Sequence, residues 1–430
     1  MDATTYIKMP SMTVWKFAER PNYVTHVDKI FPYSEVPYLG EFQLVKIPLQ
    51  DSIPHVDYWG EGRIETDVGV RGFKNCYNVN HQYQLVSSGS DRDRKVPNRI
   101  PVHSYTNCDT SAYIKNDSVT TVTVAGPNIH NSSKDIARIV SRDGKVIVFG
   151  VTGESPQIEE LKEELKKKSL LPSVNATLPS ELQGLTQYDS HVSFLNPILL
   201  KEEFYKNVVN GNFELATEMA IVFADGGFSD VIKETVTRLI DSVPRNVMSL
   251  AYQLWHGGAD NIVRNCFPSP FELIFNGDNV KIINKGYLQP LKLDVNLDSY
   301  KDRLAWGDNI CECDSTRLSW KILPVWENGG VTFKIYSNEY NMYLKLDANV
   351  DNIGDRQVWG STNSNESRHE YYLEPYLKND VLVFFIINKR YRQGLKLDVS
   401  KDKYGDRLLW GHNGSVYNEY ERFRWIISKF

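Results

Sequence analysis

Three tryptophans and three aspartates recur in this 430-residue chain in a pattern that could recognise a sugar. Leu291-Lys292-Leu293-Asp294 is followed by Asp302-Arg303-Leu304-Ala305-Trp306-Gly307, and Leu344-Lys345-Leu346-Asp347 by Asp355-Arg356-Gln357-Val358-Trp359-Gly360. The third copy is Leu395-Lys396-Leu397-Asp398 with Asp406-Arg407-Leu408-Leu409-Trp410-Gly411. An indole face can stack on a pyranose ring and a carboxylate can accept its hydroxyls. Trp306, Trp359, Trp410, Asp294, Asp347 and Asp398 are therefore the candidate ligand-binding residues. The same residues also have a purely structural reading. Each Trp would fill an equivalent core or barrel-cap position, each Gly would make the same turn with positive φ, and each Asp would hold backbone donors at a strand end.

Catalytic chemistry has less support. His81, His103, His130 and His191 sit in unrelated polar settings, so no Ser-His-Asp or metal constellation is assembled and no catalytic residue, metal ligand or cofactor is assigned. Cys76, Cys108, Cys266, Cys311 and Cys313 are scattered and include no Cys-x-x-Cys pair; they read as buried thiols. Cys311-Glu312-Cys313 is too tight for an ordinary relaxed disulfide. A net charge of −5 argues against a nucleic-acid partner, because the chain offers no basic field for phosphates. No stretch approaches the roughly 20 apolar residues that span a bilayer, and no signal-peptide apolar core follows Met1.

The elements that must carry the repeated residues are short strands. The three tryptophans lie 53 and 51 residues apart, and a second aromatic series, Trp320, Tyr372 and Trp425, runs in phase at 52 and 53. Alternation in Leu-Lys-Leu-Asp puts both leucines on one face of a half-buried strand. Three four-strand units of about 50 residues closing around a pseudo-threefold axis predict a C-terminal β-trefoil over 270–430. Between 198 and 268 the period lengthens to that of a helix. Leu200, Phe204 and Val208 share a face, as do Val236, Leu239 and Ile240, then Val247, Leu250, Ala251 and Leu254. With Ser229 as an N-cap, Pro244 opening a helix and Gly257-Gly258 closing one, this segment predicts a small all-α helical bundle.

The run Ala251-Tyr252-Gln253-Leu254-Trp255, Ile262-Val263-Arg264, Cys266-Phe267-Pro268 and Phe271-Glu272-Leu273-Ile274-Phe275 resembles the lepidopteran low-molecular-weight haemolymph lipoproteins, the 30K family. The likeness continues through Ser319-Trp320-Lys321, Trp326-Glu327-Asn328, Val331-Thr332-Phe333-Lys334-Ile335 and Ser428-Lys429-Phe430, covering roughly 198–430. The resemblance implies helices packed on a β-trefoil, no catalysis, lipid or carbohydrate ligands, and an extracellular storage and transport role in haemolymph. Those proteins begin with a secretion signal just before the helices. This chain instead carries nearly 200 further residues there, so a cytoplasmic location is the alternative.

Residues 1–190 predict a Rossmann-like α/β domain, making the whole a multidomain α+β protein. Val119-Thr120-Thr121-Val122-Thr123-Val124 reads as a strand, Ser132 or Ser133 as an N-cap, Ile136-Ala137-Arg138-Ile139-Val140 as a helix and Val146-Ile147-Val148-Phe149 as a parallel strand. The stretch from Ile136 to Val148 resembles the late half of class I methyltransferases. Their methyl-donor site needs a glycine-rich turn, for which Gly60-Glu61-Gly62 and Gly89-Ser90-Asp91 are poor substitutes, so a truncated non-catalytic relic is the preferred account. Residues 172–195 read as a linker. The leading expectation is a non-enzymatic storage or transport protein. Its rivals are an S-adenosylmethionine-dependent methyltransferase with an appended trefoil, or a lectin-like or toxin-like carbohydrate binder.

Overall fold

The computed structural model describes residues 14–17, 42–45, 52–59, 76–81, 99–102, 108–111, 113–125, 129, 132–174, 176–183, 190–309, 315–378, 381–417 and 420–430. The chain divides into two units, Met1–Leu200 and Lys201–Phe430.

The first unit is built on a mixed nine-stranded sheet of order β2-β1-β5-β4-β3-β6-β7-β9-β8. Its strands are β1 (Val14–Phe17), β2 (Phe42–Val45), β3 (Ile53–Tyr58), β4 (Cys76–His81), β5 (Arg99–Val102), β6 (Val119–Ala125), β7 (Val140–Phe149), β8 (Leu171–Ser173) and β9 (His191–Leu195). Helix α1 (Ser133–Ile139) crosses between the parallel β6 and β7, and α2 (Glu159–Lys166) follows β7 with Leu161 and Leu165 buried. Valines 119, 122, 124, 146 and 148 are fully enclosed, as the unbroken apolar runs require of strands covered on both faces. The expected linker over 172–195 is corrected: β9 pairs antiparallel with β7 and with β8, because Val192 and Phe194 alternate inward and extend the core.

Helix α3 (Pro197–Val209) runs across the boundary into the second unit, which continues with α4 (Phe213–Asp225), α5 (Ser229–Ser242), α6 (Pro244–His256), α7 (Asp260–Cys266) and α8 (Pro270–Phe275). Pro244 starts α6, where its missing N–H is no loss, and Gly258 at φ +83° lets the Ala259 N–H return to the Leu254 carbonyl. Ser229 is the first residue of α5 rather than its cap; Phe228 holds that place.

Twelve strands follow: β10 (Val280–Asn284), β11 (Leu291–Leu293), β12 (Arg303–Gly307), β13 (Trp320–Glu327), β14 (Gly330–Ser337), β15 (Met342–Leu346), β16 (Arg356–Ser361), β17 (Tyr371–Lys378), β18 (Val381–Asn388), β19 (Gly394–Leu397), β20 (Arg407–His412) and β21 (Trp425–Lys429). Pairing runs β12-β16-β15-β14-β13-β10-β21-β18-β19-β20 and returns from β20 to β12, a closed ten-strand barrel. The expected fold class is thereby corrected on both counts. A β-trefoil is not shown, since the closure joins ten strands. A Rossmann-like domain is not shown either, since the first unit's sheet carries antiparallel strands at both edges. Repeated residues dictated which faces are buried but not which strands become partners.

Two finer expectations change as well. Gly307, Gly360 and Gly411 lie within strands and not in positive-φ turns. A Cβ there would come 2.5 Å from Leu397, Leu293 and Leu346 respectively, so each glycine is demanded by a leucine of another repeat. The aromatic series is Trp320, Tyr371 and Trp425, each fully buried at a strand start; Tyr372 is one residue out of register and so faces the other way.

The tight turns before β12, β16 and β20 differ at one place. Gly354 and Gly405 sit at φ +85° and +88°, whereas the equivalent residue of the first repeat, Lys301, is held at φ +65°. Replacing Lys301 by Gly removes left-handed strain on the order of 1 kcal/mol. Lys301→Gly is expected to raise the urea midpoint of the second unit; an unchanged or lowered midpoint would show that the turn carries no strain.

His369 and His412 set a pH dependence. Burial lowers His369 to about 4, and burial with the nearby Lys396 ammonium also lowers His412. Both rings are favoured neutral when folded, so the unfolded chain binds more protons below about pH 6.5. Stability present at pH 7 is therefore lost as pH falls from about 6.5 towards 4. His369 alone should cost about 2 kcal/mol by pH 5, and denaturant melts of wild type against His369→Gln, whose curve should be flatter, measure it.

Candidate functional site

The six repeat residues are not brought into one pocket. Each Asp closes its own turn: the Asp294, Asp347 and Asp398 carboxylates accept the N–H of Asn296, Asn349 and Ser400 at 2.9, 3.1 and 3.0 Å. Trp306, Trp359 and Trp410 stand across the strand pair from Lys292, Lys345 and Lys396, half-buried, with their indole N–H groups enclosed and unpartnered. The sequence expectation that these residues bind ligand thus has its rings in view but its hydrogen-bonding edges turned inward.

The second unit instead presents a cleft of about 540 Å³ where the α5–α6 corner meets β17 and β18. Pro244 opens α6 at the corner, where Ile240, Val243 and Pro244 give the cleft aliphatic surface interleaved with Asp241, Ser242 and Asn246. Glu374, only 3% exposed, lies in its wall. Its carboxylate accepts the Arg245 Nε–H at 2.5 Å through one oxygen and the Tyr417 hydroxyl at 2.6 Å through the other. The Arg245 guanidinium lies 4.1 Å above the Tyr372 ring, which the out-of-register position makes available. Phe385 meets Tyr417 edge-on at 5.4 Å and Tyr376 at 5.9 Å, completing an aromatic side. Burial, then the Glu374 carboxylate, push the Tyr417 hydroxyl up to about 12, so it is a donor at neutral pH. The arrangement sets apolar surface beside one fixed polar cluster, which suits an amphipathic guest.

A second cleft of about 600 Å³ lies at the start of α4, against Gln253 of α6 and Trp326 at the end of β13. Tyr252 stacks on Trp326 at 5.1 Å and Phe213 meets it edge-on at 6.1 Å.

Comparison with known proteins places this unit. Residues 199–429 match the family described as "Lepidopteran low molecular weight (30 kD) lipoprotein". The chain belongs to this lipoprotein family. Microvitellogenin of Manduca sexta is 38% identical over 229 residues, which is 53% of this chain and 92% of the relative. Low molecular mass lipoproteins PBMHPC-23 and PBMHP-6 of Bombyx mori are 34% and 37% identical, each over 54% of this chain and 88% and 90% of their own lengths. The first unit lies outside these lipoprotein matches, and the methyltransferase resemblance finds no support among them. Asp91, Gly60-Glu61-Gly62 and Gly89 lie outside the described residues.

Sequence reasoning missed Glu374, Arg245 and Tyr417. A signal was present: Glu374 occupies the place held by Leu323 and Ser428 in the other repeats, and Tyr372 that of Lys321 and Ile426. It also missed a buried set in the first unit. His55 Nε2 lies 2.7 Å from the Thr123 hydroxyl, which donates to Asp57 at 2.6 Å, and all three are 0% exposed. Burial lowers His55 to about 3, so the ring is neutral. Asp135 likewise gathers Tyr58 at 2.5 Å, Thr110 at 2.7 Å and Arg138 at 2.8 Å as an internal brace. Among the described residues no helix is long and apolar enough to cross a membrane.

Arg245→Ala leaves the Glu374 carboxylate buried with one donor. The expected cost is about 2 kcal/mol, below that of a fully buried pair because Arg245 is 39% exposed. Adding Glu374→Gln should recover most of it; urea melts of the two variants check the pair, and a double variant no better than Arg245→Ala would refute it.

Proposed function

We propose that this chain is a non-enzymatic storage and transport lipoprotein, extracellular and of the haemolymph type, that binds lipid and/or carbohydrate. The observation that carries the binding reading is the cleft at the α5–α6 corner. Its volume, about 540 Å³, falls in the range of small-ligand sites, and its two unlike flanks would take an acyl chain along Ile240, Val243 and Phe385 with a polar head at Arg245 and Tyr417. Membership of a family named for lipoproteins supports the same reading. The state of the polar groups favours recognition over turnover, because Glu374 is already engaged by two donors and Tyr417 keeps its proton.

Val243→Trp tests the cleft without removing a hydrogen bond. Val243 is half-buried at the corner, so an indole there would project into the space rather than into the core. A fluorescent acyl-chain probe is expected to bind the wild-type chain saturably and the filled variant at least tenfold more weakly, with the thermal midpoint nearly unchanged. Equal binding by both would place the acyl site elsewhere, and no binding by either would remove the lipid reading.

A further inference from the structure

We propose that the seam between the second and third repeats, where His412 and Lys396 share Asp355, is an acid-opened clasp on residues 413–417, and that its opening unloads the first cleft. The unloading rests on the cleft reading given above; the clasp stands on the seam alone.

The three seams are built alike except at one position. The residue after each Trp-Gly pair is Asp308, Ser361 and His412 in turn. Lys292 sits between two carboxylates, Asp308 at 2.5 Å and Asp406 at 2.6 Å, and Lys345 meets Asp302. Lys396 has Asp355 at 2.5 Å and, where the first seam has a second carboxylate, His412 Nδ1 at 3.0 Å. Asp355 also fastens the chain beyond β20. Its Oδ1 accepts the Asn413 N–H at 2.7 Å and lies 3.1 Å from His412 Nδ1, while the Asn413 side-chain amide donates to the Ile353 carbonyl at 3.3 Å. Asn309 is held on Asp406 and Tyr404 in the same way, at a seam that has no imidazole.

A neutral His412 offers the Nδ1 lone pair to the Lys396 ammonium. A proton on that nitrogen turns the acceptor into a donor, and the acceptor it then faces is Asp355 Oδ1, already taken by Asn413. Two cations 3.0 Å apart must divide one carboxylate. Around the ring stand Lys396 from β19, Asp355 from the turn before β16, Arg422 from the turn before β21 and the Phe423 ring at 5.1 Å, so the cations outnumber the carboxylate. Burial, and then the Lys396 ammonium, hold the closed ring below the ordinary imidazole value, which a released ring regains. The open seam therefore binds the proton more tightly, and acid draws the clasp open. The His412 side chain is 23% exposed, so protons reach it with the barrel intact, whereas His369 is fully enclosed.

A short span carries the effect to the cleft. Tyr417 follows His412 by five residues, and between them Val416 presses on Gly394 so closely that a Cβ there would collide with it. Val416 packs in one apolar cluster with Phe385, Ile387 and Phe423, and Tyr417 donates to Glu374 at 2.6 Å and meets Phe385 edge-on. Once Asn413 leaves Asp355, the span loses its fixed start, and Tyr417 and the Phe385 wall lose their common support.

The test follows amide hydrogen exchange of the full chain at pH 7 and pH 5, with each segment corrected by an unstructured peptide of the same sequence. Wild-type protection of 413–417 should fall roughly tenfold more than that of β14, with Asn309 unaffected. His412→Gln keeps a neutral acceptor that cannot charge, and His412→Asp gives the third seam the carboxylates of the first; both should make the 413–417 response flat. Asp308→His should transfer the acid response to Asn309. A fluorescent acyl-chain probe should leave the wild-type chain at pH 5 with about tenfold lower affinity and stay on His412→Gln. Acid loss of protection that is absent, spread evenly over the barrel, or the same in both His412 variants would overturn the clasp. Probe release that His412→Gln does not prevent would overturn the unloading. A local response that depends on His412, with no probe bound at either pH, would uphold the clasp and remove the cleft reading instead.

Discussion

The second unit depends on how its repeats are tied to one another, and the tie is an ion pair. Lys396 of the third repeat meets Asp355 of the second at 2.5 Å, Lys292 of the first meets Asp406 of the third at 2.6 Å, and Lys345 of the second meets Asp302 of the first. The contacts run once around the axis and close. All three lysine side chains are 11% exposed or less, which an ammonium tolerates only when paired. The arginine beside each of these aspartates does the same work a layer away. Arg303, Arg356 and Arg407 each cap two carbonyls of their own turn and lie within 4.1 Å of a tyrosine of the following repeat, Tyr340, Tyr391 and Tyr287. Removing one lysine would leave a carboxylate enclosed, so the cost of each pair lies mainly in breaking it.

That closure explains why so much of the repeat is conspicuous and so little of it is a site. The residues that recur are those that must be identical for three repeats to interlock: leucines inward, glycines where a neighbour's leucine presses, lysine and aspartate across each seam. Binding needs the opposite, a place where the copies differ. The helices provide it by packing differently on each copy, with α5 and α6 against β17, α6 also against β14, and α8 against β13 and β21. There Glu374 and Tyr372 replace residues that in the other copies are aliphatic, hydroxylic or cationic, and Arg245 from α6 answers them.

How much of this was legible follows from the same distinction. Burial of Leu291, Leu344 and Leu395 and the start of α6 at Pro244 could be read from period and residue type, because local sterics and solvent decide them. The closure of ten strands could not, since partner choice depends on contacts a hundred residues apart, such as Lys292 with Asp406. A one-residue slip in the aromatic series hid Tyr372, because alternating positions in a strand face opposite ways and both Tyr371 and Tyr372 are aromatic. The edge strand β8 and its neighbour β9 read as linker in the sequence because Pro172 and Pro179 mark breaks, yet a proline is acceptable in β8, which pairs on one side only.

The polar chemistry enclosed by the two units points in one direction. A general base must have a lone pair free to take a proton, and a nucleophile must be reachable. Glu374 has a donor on each oxygen, Tyr417 holds its proton up to about pH 12, and the neutral His55 with Thr123 and Asp57 is sealed from solvent. Glu374 and Tyr417 already satisfy one another, so a guest entering the cleft would meet a polar cluster that need not reorganise to receive it.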